Sequence, residues 1–395
     1  MADSENIPGI SDDLKERALA AAGEGITIAD ARLPDMPLIY VNRAFEQVTG
    51  YSRNEAIGYN CRFLQGVDTD PEAAETIRSA IREQRGCIVE ILNYRKDGTP
   101  FWNRLTISPV YDASGIVTHF IGVQSDVTAR RLAEERLAGA YRDMQRDLEA
   151  AARIQQSLLP EAIPDVSGMK IAWSYRPSDE LGGDTLNVLR LDETTIAVYV
   201  LDVSGHGVPA SLLSFTLAHT LSAFPEQSIL FNQQDKVNKT ATPLEVASRL
   251  NQRFRLDLDA PQYFTMFYGL IDEQTKKVRC VIAGHPPVIL VRADGTSDIH
   301  YANSPPVGVM EQIELTEIEI ELQPGDRLYI YTDGLSEAFS EEGNQLGIER
   351  VRETAIHARK EPLKASVRAL ELLGENWTHG DPQDDVSVLA IECTG

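Results

Sequence analysis

The N-terminal part of the chain alternates short runs of β-branched and aromatic residues with helical segments. Five runs between residues 25 and 127 have the composition of strands: 26–30 (ITIAD), 38–42 (LIYVN), 87–95, 100–110 and 118–127. Residues 43–50 and 71–85 space their apolar side chains as helices do. The turn sequence 96–99 (KDGT) joins the third and fourth strands. The pattern predicts a small α+β domain.

A long helical stretch follows this domain, from residue 130 to residue 159, with one glycine and no proline. It predicts a continuous helix of roughly 45 Å at about 1.5 Å per residue. Five apolar positions alternate steps of four and three, the spacing of a coiled-coil seam: Leu137, Tyr141, Met144, Leu148 and Ala151. Pro160 ends the helix because proline lacks the backbone donor. The seam predicts a connector that forms a parallel homodimer. The alternative is a solvated helix packed on one neighbouring domain.

Strand-like runs dominate from residue 169 onward. They cover 170–178, 195–204, 262–272, 276–284, 286–294, 313–322, 326–334 and 386–393. In 317–322, isoleucine and leucine alternate with glutamate, so one face of that strand is buried and the other is wet. Helices are predicted at 208–224, at 243–254 behind the capping box Thr242 to Glu245, and at 365–373. Many strands with a few long helices predict stacked sheets covered by helices.

Length and composition limit the functions open to the chain. Its 395 residues fit two domains joined by the helix, with a net charge of −23 that repels nucleic acid and anionic membranes. The predicted boundaries are 1–24 for an N-terminal segment, 25–127 for the first domain, 128–160 for the helical linker and 161–395 for the second domain. The four cysteines lack C-x-x-C spacing, so neither a zinc site nor a disulfide framework is expected. With no membrane span and no secretory signal, we expect a cytoplasmic protein.

Carboxylates at strand ends are the candidate chemistry of the second domain. Asp184 follows two glycines, Asp202 and Asp333 end strand-like runs, and Asp384 with Asp385 immediately precedes the last one. Acids in glycine-containing loops are sterically free to converge on one edge of the sheets, where their oxygens suit hard divalent cations such as Mg²⁺ or Mn²⁺. For any single aspartate, a turn is the alternative. The repeated placement at strand ends favours a metal site.

A specific motif in the first domain points to a family. The run 58–66 (GYNCRFLQG) resembles the GxNCRFLQ signature of LOV domains, the flavin-binding blue-light sensors of the PAS superfamily. The likeness continues through 93–98 (NYRKDG), 101–103 (FWN) and 122–128 (GVQSDVT), over about a hundred residues. The resemblance implies a PAS fold that binds FMN.

The resemblance also implies a role for each matched residue. Cys61 would be the thiol that adds to flavin carbon C4a after blue-light excitation, a reaction whose chemistry belongs to the cofactor. Arg62 and Arg78 would bind the FMN phosphate, for which guanidinium groups suit charge and geometry. The amides that would bind the ribityl chain and the ring edge are Asn60, Gln65, Asn93, Asn103 and Gln124. A LOV domain that signals by flavin redox change alone is the alternative.

Five motifs follow one another in the second domain: 181–184 (LGGD), 202–210 (DVSGHGVPA), 283–287 (AGHPP), 331–338 (YTDGLSEA) and 384–388 (DDVSV), preceded by 154–160 (IQQSLLP). They resemble the ordered motifs of the metal-dependent protein phosphatases of the PPM family, in the branch typified by SpoIIE and RsbU. The resemblance spans about 240 residues and implies an αββα sandwich. The complete fold class is therefore α+β, with a PAS/LOV domain, a coiled-coil linker and a PPM sandwich.

The phosphatase resemblance implies the metal ligands. Asp202 would bridge two Mn²⁺ or Mg²⁺ ions, with the backbone carbonyl of Val203 as a further ligand. Asp333 and Asp384 would complete one site, and Asp184 would support the other through water. The family pattern GGDFYD reads GGDTLN here, so Asn187 replaces the second acid, which puts substrate fit or an accessory metal in doubt.

Together the resemblances imply a blue-light-regulated serine/threonine protein phosphatase. Its substrate class would be phosphorylated STAS-domain anti-anti-sigma proteins, which this phosphatase branch commonly acts on. The alternative is a light-controlled binding module with a catalytically idle phosphatase fold, which Asn187 favours. His206 and His285 receive no catalytic role, since histidines beside glycine or proline in loops more often hold local structure. A dinucleotide site at 205–210 (GHGVPA) fails, because no second strand ends in an acid at the required distance.

Overall fold

Two compact units make up the chain, Met1–Asp143 and Met144–Gly395. The computed structural model describes residues 12–160, 162–224, 228–232, 239–254, 262–380 and 382–395. Residues 1–11 of the predicted N-terminal segment lie outside this range. Helix and strand are mixed throughout, as the sequence predicts. Among the helices of the described ranges, none combines the length and the apolar content needed to cross a membrane.

The first unit is one antiparallel sheet with helices, in the strand order β2-β1-β5-β4-β3. Its elements are α1 (Asp12–Ala21), β1 (Gly25–Asp30), β2 (Leu38–Val41), α2 (Arg43–Thr49), α3 (Arg53–Ala56), a 3₁₀ turn (Cys61–Leu64), α4 (Pro71–Arg82), β3 (Cys87–Tyr94), β4 (Pro100–Tyr111) and β5 (Val117–Asp126). All five predicted strands and both predicted helices are confirmed; α1 and α3 were not predicted.

Local sequence explains where the first unit's helices begin and end. The Asn42 side chain accepts a hydrogen bond from the Phe45 backbone N–H at the start of α2, and Gly50 ends that helix in the left-handed conformation, with φ of 76°. Asp70 caps α4 by accepting from Glu72, and Pro71 occupies its first turn. These caps fix α4 against β3 and β4, where Ile77 packs among buried residues of the sheet.

Helix α5 (Thr128–Gln156) is continuous over 29 residues, as predicted. It ends at Gln156 rather than at residue 159. The Leu158 and Leu159 backbone N–H groups bond to carbonyls three residues back, so the last turn tightens before Pro160. Proline disfavours helical conformation in the residue before it, which explains the earlier end.

The second unit contains two antiparallel five-stranded sheets, in the orders β15-β12-β11-β8-β7 and β14-β13-β16-β17-β6. Its strands are β6 (Met169–Arg176), β7 (Thr185–Arg190), β8 (Thr195–Val203), β9 (Phe231–Asn232), β10 (Lys239–Thr240), β11 (Phe264–Asp272), β12 (Lys277–Ala283), β13 (Val288–Val291), β14 (Ser297–His300), β15 (Glu317–Glu321), β16 (Arg327–Tyr331) and β17 (Val386–Cys393). Its helices are α6 (Val208–Thr220), α7 (Pro243–Arg253), α8 (Asp333–Ser336), α9 (Ile348–His357) and α10 (Leu363–Thr378).

Side-chain alternation assigns the faces of both sheets. Val198 and Val200 of β8 share a core with Leu328 of β16 and Leu389 of β17, so the two sheets pack face to face. The opposite faces are covered by helices, with α6 and α7 over one sheet and α9 and α10 over the other. The capping box at Thr242 and the burial of Ile320 are confirmed.

The differences from the predicted elements of this unit are local. The elements that were not predicted are β7, β9, β10, β14, α8 and α9. The predicted strand 326–334 ends at Tyr331, and Asp333 begins α8 instead of ending the strand. Helix α6 ends at Thr220 instead of residue 224, and α10 is longer than residues 365–373. β7 lacks strict alternation because it is buried on both faces over most of its length.

Candidate functional site

A cavity of about 390 Å³ lies in the first unit, between the sheet and helix α4. Its size falls in the range of ~300–1,000 Å³ that is typical of small-molecule sites. All eight side chains that the LOV resemblance assigns to flavin binding line it: Asn60, Cys61, Arg62, Gln65, Arg78, Asn93, Asn103 and Gln124. Leu38, Ile77, Ile91 and Phe120 supply apolar walls. An aromatic ligand with polar edges suits this lining.

Three buried amides on neighbouring strands form a hydrogen-bonded row. Asn103 Nδ2 donates to Asn93 Oδ1 at 2.9 Å and to Gln124 Oε1 at 3.4 Å. The strand register brings them together, since Asn103 lies on β4 between β3 and β5. Within the described residues, Asn103 Oδ1 is buried and has no hydrogen-bond partner. An orphaned acceptor costs free energy unless a ligand supplies a donor, so the row fits the polar edge of a flavin.

Cys61 begins the 3₁₀ turn, where the Asn60 side chain accepts from the Arg62 backbone N–H. Its Sγ accepts a hydrogen bond from Gln124 Nε2 at 3.4 Å, which links this turn to β5. The thiol keeps some accessible surface because it lines the cavity. Loss of hydration inside the domain nevertheless raises the pKa of Cys61 to about 11, against the opposing effect of Gln124. The group is therefore a protonated thiol at neutral pH.

The arginines at the cavity rim are already paired with carboxylates. Arg62 contacts Asp35 and Arg78 contacts Glu75, and both guanidinium groups are more than half exposed. Arg82 also lines the cavity and shares Glu75 at 2.9 Å. Sequence reasoning missed Arg82, although its spacing of four from Arg78 places both on one face of α4. A bound phosphate would replace Asp35 and Glu75 as the partner of these arginines.

Asp184 lies buried in the second unit, directly before β7. Its Oδ2 accepts hydrogen bonds from Thr332 Oγ1 at 2.8 Å and Ser387 Oγ at 2.7 Å. Its Oδ1 is buried without a partner among the described residues. Burial raises the pKa of Asp184 well above its usual value, and the nearby charges of Asp202 and Asp385 raise it further. A carboxylate in this setting requires a cation or a proton.

Three more acids interact electrostatically at the ends of strands from both sheets. Burial, together with the charges of Asp333 and Asp384, raises the pKa of Asp202 to about 8. Burial also raises the pKa of Asp333 and that of Asp384. Among the described residues, no group of three or more acidic, histidine or cysteine side chains is arranged so that it could hold a metal ion. The acids are nevertheless close enough to disfavour one another's ionisation, and hard oxygen donors of this kind fit divalent cations.

Asp385 organises the loop that carries Asp184. It is buried, and its Oδ2 accepts from the backbone N–H groups of Gly183 at 2.5 Å and Asp184 at 3.3 Å. Its Oδ1 accepts from the Ser178 backbone N–H at 2.7 Å. The sequence analysis noted Asp385 beside Asp384 but gave it no role. The adjacency of two acids before a buried strand was the available signal.

The paired glycines of this loop are required by close packing. A Cβ at Gly182 would lie 2.2 Å from Tyr175 Oη and 2.3 Å from Asp385 Oδ2. A Cβ at Gly183 would lie 2.7 Å from the Val203 carbonyl oxygen. The predicted carbonyl ligand Val203 therefore borders the loop that holds Asp184.

The remaining polar residues singled out from the sequence have other surroundings. Burial lowers the pKa of His285 to about 3, and its Nδ1 lies 2.9 Å from Thr265 Oγ1, so the imidazole is neutral and held in place. His206 is near enough to Asp384 to lower that acid's pKa. The Asn187 side chain donates to the Leu158 carbonyl at 3.2 Å.

Two sequence profiles of known families match the chain. The sequence profile described as "Stage II sporulation protein E (SpoIIE)" matches residues 192–394, more than half of the chain. The chain belongs to the SpoIIE family. A PAS-domain profile matches residues 23–129, so this SpoIIE-family chain also carries a PAS domain.

Relatives of this SpoIIE-family chain include light-responsive proteins. The bacterioopsin transcriptional activator of Halobacterium salinarum is 46% identical over 136 residues, which are 34% of this chain and 20% of that protein. The blue-light-activated histidine kinase 1 of Erythrobacter litoralis is 47% identical over 123 residues, 31% of this chain and 34% of that protein. The chain thus spans between a fifth and about a third of these relatives' lengths. A solved LOV domain, from the Erythrobacter litoralis EL346 blue-light activated histidine kinase, is 50% identical and covers 27% of this chain and 96% of that domain, with a TM-score of 0.26.

Proposed function

We propose that the chain is a cytoplasmic, blue-light-regulated and metal-dependent protein-serine/threonine phosphatase. A LOV sensor at 25–127 would control a PPM-type αββα phosphatase at 161–395 through a coiled-coil linker at 128–160. The observation that carries the proposal is the convergence of three distant segments: the Asp184 carboxylate accepts hydrogen bonds from Thr332 and Ser387, which flank the segments carrying Asp333 and Asp384. The intact acid set in one unit and the ligand-sized cavity within the other support a sensor joined to an enzyme.

In the sensor, FMN would supply blue-light absorption and a ring carbon that reacts with a thiol when excited. The chain holds Cys61 as a protonated thiol and keeps Gln124 Nε2 within 3.4 Å of it. The row of Asn93, Asn103 and Gln124 would bind the polar ring edge, because amides both donate and accept. Arg62 and Arg78, with Arg82, would hold the phosphate.

In the phosphatase, two Mn²⁺ or Mg²⁺ ions would supply charge neutralisation and an activated water for in-line attack on phosphorus. Asp202 and the Val203 carbonyl would hold the ions, with Asp333 and Asp384 on one side and Asp184 on the other. Thr332 and Ser387 orient the Asp184 carboxylate, and Asp385 orients the backbone beside it. No covalent phosphoenzyme is required.

The substrate class follows from the phosphatase branch that the motifs resemble, and is a phosphorylated STAS-type protein. The test is release of phosphate from a candidate phospho-STAS protein, measured in the dark and under blue light with Mn²⁺. The replacement of the second acid by Asn187 favours one other candidate, a binding module with an idle phosphatase fold. Hydrolysis of a generic aryl phosphate ester that requires Mn²⁺ would exclude that candidate; its absence would support it.

The linker seam supports a homodimer. Leu137, Tyr141 and Met144 are exposed by 73%, 61% and 55%, which is unfavourable for apolar side chains on a solvated helix. Leu148→Lys places a charge on the seam and is expected to weaken dimerisation by about tenfold or more. Gln145→Lys adds the same charge at an exposed position off the seam and is the control. Light scattering on dilution measures both; a monomeric unmodified protein at micromolar concentration would contradict the dimer.

Light is expected to raise phosphatase turnover through α5, because β5 leads directly from Gln124 into this helix. One rearranged hydrogen bond supplies ~0.5–1.5 kcal/mol, whereas shifting an equilibrium from 1:99 to 99:1 requires about 5.5 kcal/mol. The switch should therefore be partial, of several-fold to about tens of fold.

An insertion tests the helical route. One alanine inserted after Ala151 rotates the downstream helix by about 100°, and should bring the light-to-dark activity ratio to about one while the flavin photocycle persists. Seven inserted residues nearly restore the rotation, with a drift of only ~20°, and should restore part of the ratio. An unchanged light-to-dark activity ratio in the one-residue variant would show that the helix connects the two domains without transmitting the signal.

A further inference from the structure

Gln155 differs from the rest of α5, because it is buried, 8% exposed, on a helix with an otherwise accessible surface. Its Nε2 donates to the Gly182 carbonyl at 2.6 Å, and its Oε1 accepts from the Gly182 backbone N–H at 3.3 Å. One side-chain amide thus pairs with both polar groups of a single backbone residue. Gly182 is two positions before Asp184.

A second amide fastens the other side of Asp184. Asn187, three positions after Asp184, donates through Nδ2 to the carbonyl of Leu158, just beyond the end of α5. We call these two contacts, Gln155 with Gly182 and Asn187 with Leu158, the amide clamp. The clamp ties both flanks of the Asp184 segment to the end of one helix.

The loop has little freedom to absorb a movement of that helix. A Cβ on Gly182 would lie 2.2 Å from Tyr175 Oη and 2.3 Å from Asp385 Oδ2, so Gly182 has little room to move toward these two side chains. Breaking the Gln155 contacts instead removes the hydrogen-bond partners of the buried Gly182 N–H and carbonyl, which is unfavourable for both groups. Rotation of α5 is therefore transmitted to the backbone that carries Asp184.

We propose that Gln155 is a positioning residue that makes cation binding at Asp184 depend on the placement of helix α5. The proposal rests on the proposed metal-dependent phosphatase function and specifies the contact through which the helix regulates it. Gln155 touches backbone only, so it acts through Gly182 and Asp184. In the family pattern the position of Asn187 is an acid. A carboxylate cannot donate to the Leu158 carbonyl, so the amide found here serves the clamp.

The test uses the full-length protein and Mn²⁺ alone as the ligand. Gln155→Ala is expected to raise the Mn²⁺ concentration for half-maximal binding, measured by the loss of the free-ion electron paramagnetic resonance signal, by about tenfold. At saturating Mn²⁺, the turnover number on an aryl phosphate ester should fall less than about twofold. Hydrogen–deuterium exchange across 180–186 should accelerate, since the Gly182 N–H loses its acceptor.

Gln156→Ala is the matched control, because Gln156 is the same residue type in the same turn and is exposed. It should change neither Mn²⁺ binding nor exchange. Asn187→Asp is the second variant, for use if Gln155→Ala fails to fold by circular dichroism. It should weaken Mn²⁺ binding and accelerate exchange in the same segment.

Unchanged Mn²⁺ affinity and exchange in Gln155→Ala, or equal changes in Gln156→Ala, would overturn the proposal. Tighter Mn²⁺ binding by Asn187→Asp would also overturn it, because it would assign that position to the metal site rather than to the clamp. Failure of the clamp proposal can be distinguished from failure of the proposed phosphatase function. An unmodified protein that hydrolyses no phosphate ester contradicts the phosphatase function, whereas metal binding and exchange test the clamp without turnover.

Discussion

Replacing Asp202 with asparagine is expected to lower Mn²⁺-dependent phosphate release by about two orders of magnitude or more, with the fold intact. The carboxylate is the proposed bridge between two cations, and a metal ion contributes several kcal/mol to transition-state charge stabilisation. The amide keeps the size of the side chain but removes its charge. The same change relieves the crowding that raises the pKa of Asp202 to about 8, so thermal stability without metal should not fall.

The comparison that isolates this effect is with an exposed acid of the same unit. Asp298 pairs with Arg292 at the surface, and Asp298→Asn should leave turnover unchanged. Asp384→Ala should behave like Asp202→Asn, with metal affinity and turnover lost together. Full activity of the unmodified protein in excess chelator would refute the two-metal mechanism, whatever the variants do.

Local pattern predicted the strands well where burial is one-sided. Ile318 and Ile320 alternate with glutamates, and the strand lies where this alternation places it. β7 escaped prediction because burial on both faces removes alternation. Helix ends were less exact, since the position of Gln156 as the last helical residue depends on how Pro160 limits its neighbours.

The candidate sites could likewise be predicted where local motifs define them, but not where contacts between distant residues do. The motif resemblance identified eight residues that line one cavity, because the spacing of these residues within the motifs matches that of the family. The motifs included Asp385, within 384–388, and Gln155, within 154–160, but could not give their roles, which arise from contacts across long stretches of chain. Asp385 bonds Gly183, 202 positions earlier, and Gln155 bonds Gly182, 27 positions later. Neither contact has a sequence period, so only the folded arrangement reveals it.

Cys61→Ala is expected to abolish the reversible blue-light loss of the flavin absorption band completely while flavin binding persists. The Cys61 thiol is the proposed reactive group in the cavity, whereas the amide row and the arginines that would hold the cofactor are unchanged in this variant. Light control of phosphatase activity should disappear in the same variant. Cys87→Ala is the control, because Cys87 is also partly accessible but does not line the cavity.

Protonation adds a second signature to this prediction. Because burial raises the pKa of Cys61 to about 11, the thiol stays protonated from pH 6 to pH 9, and the extent of the light reaction should not change over that range. If the form of Cys61 present before illumination were a thiolate, the amplitude of bleaching would instead rise with pH. The measurement is the amplitude of bleaching at several pH values, with alkylation of Cys61 in darkness as an independent readout. Persistent bleaching in Cys61→Ala, or a steep rise in its amplitude below pH 9 in the unmodified protein, would contradict the role of the buried thiol.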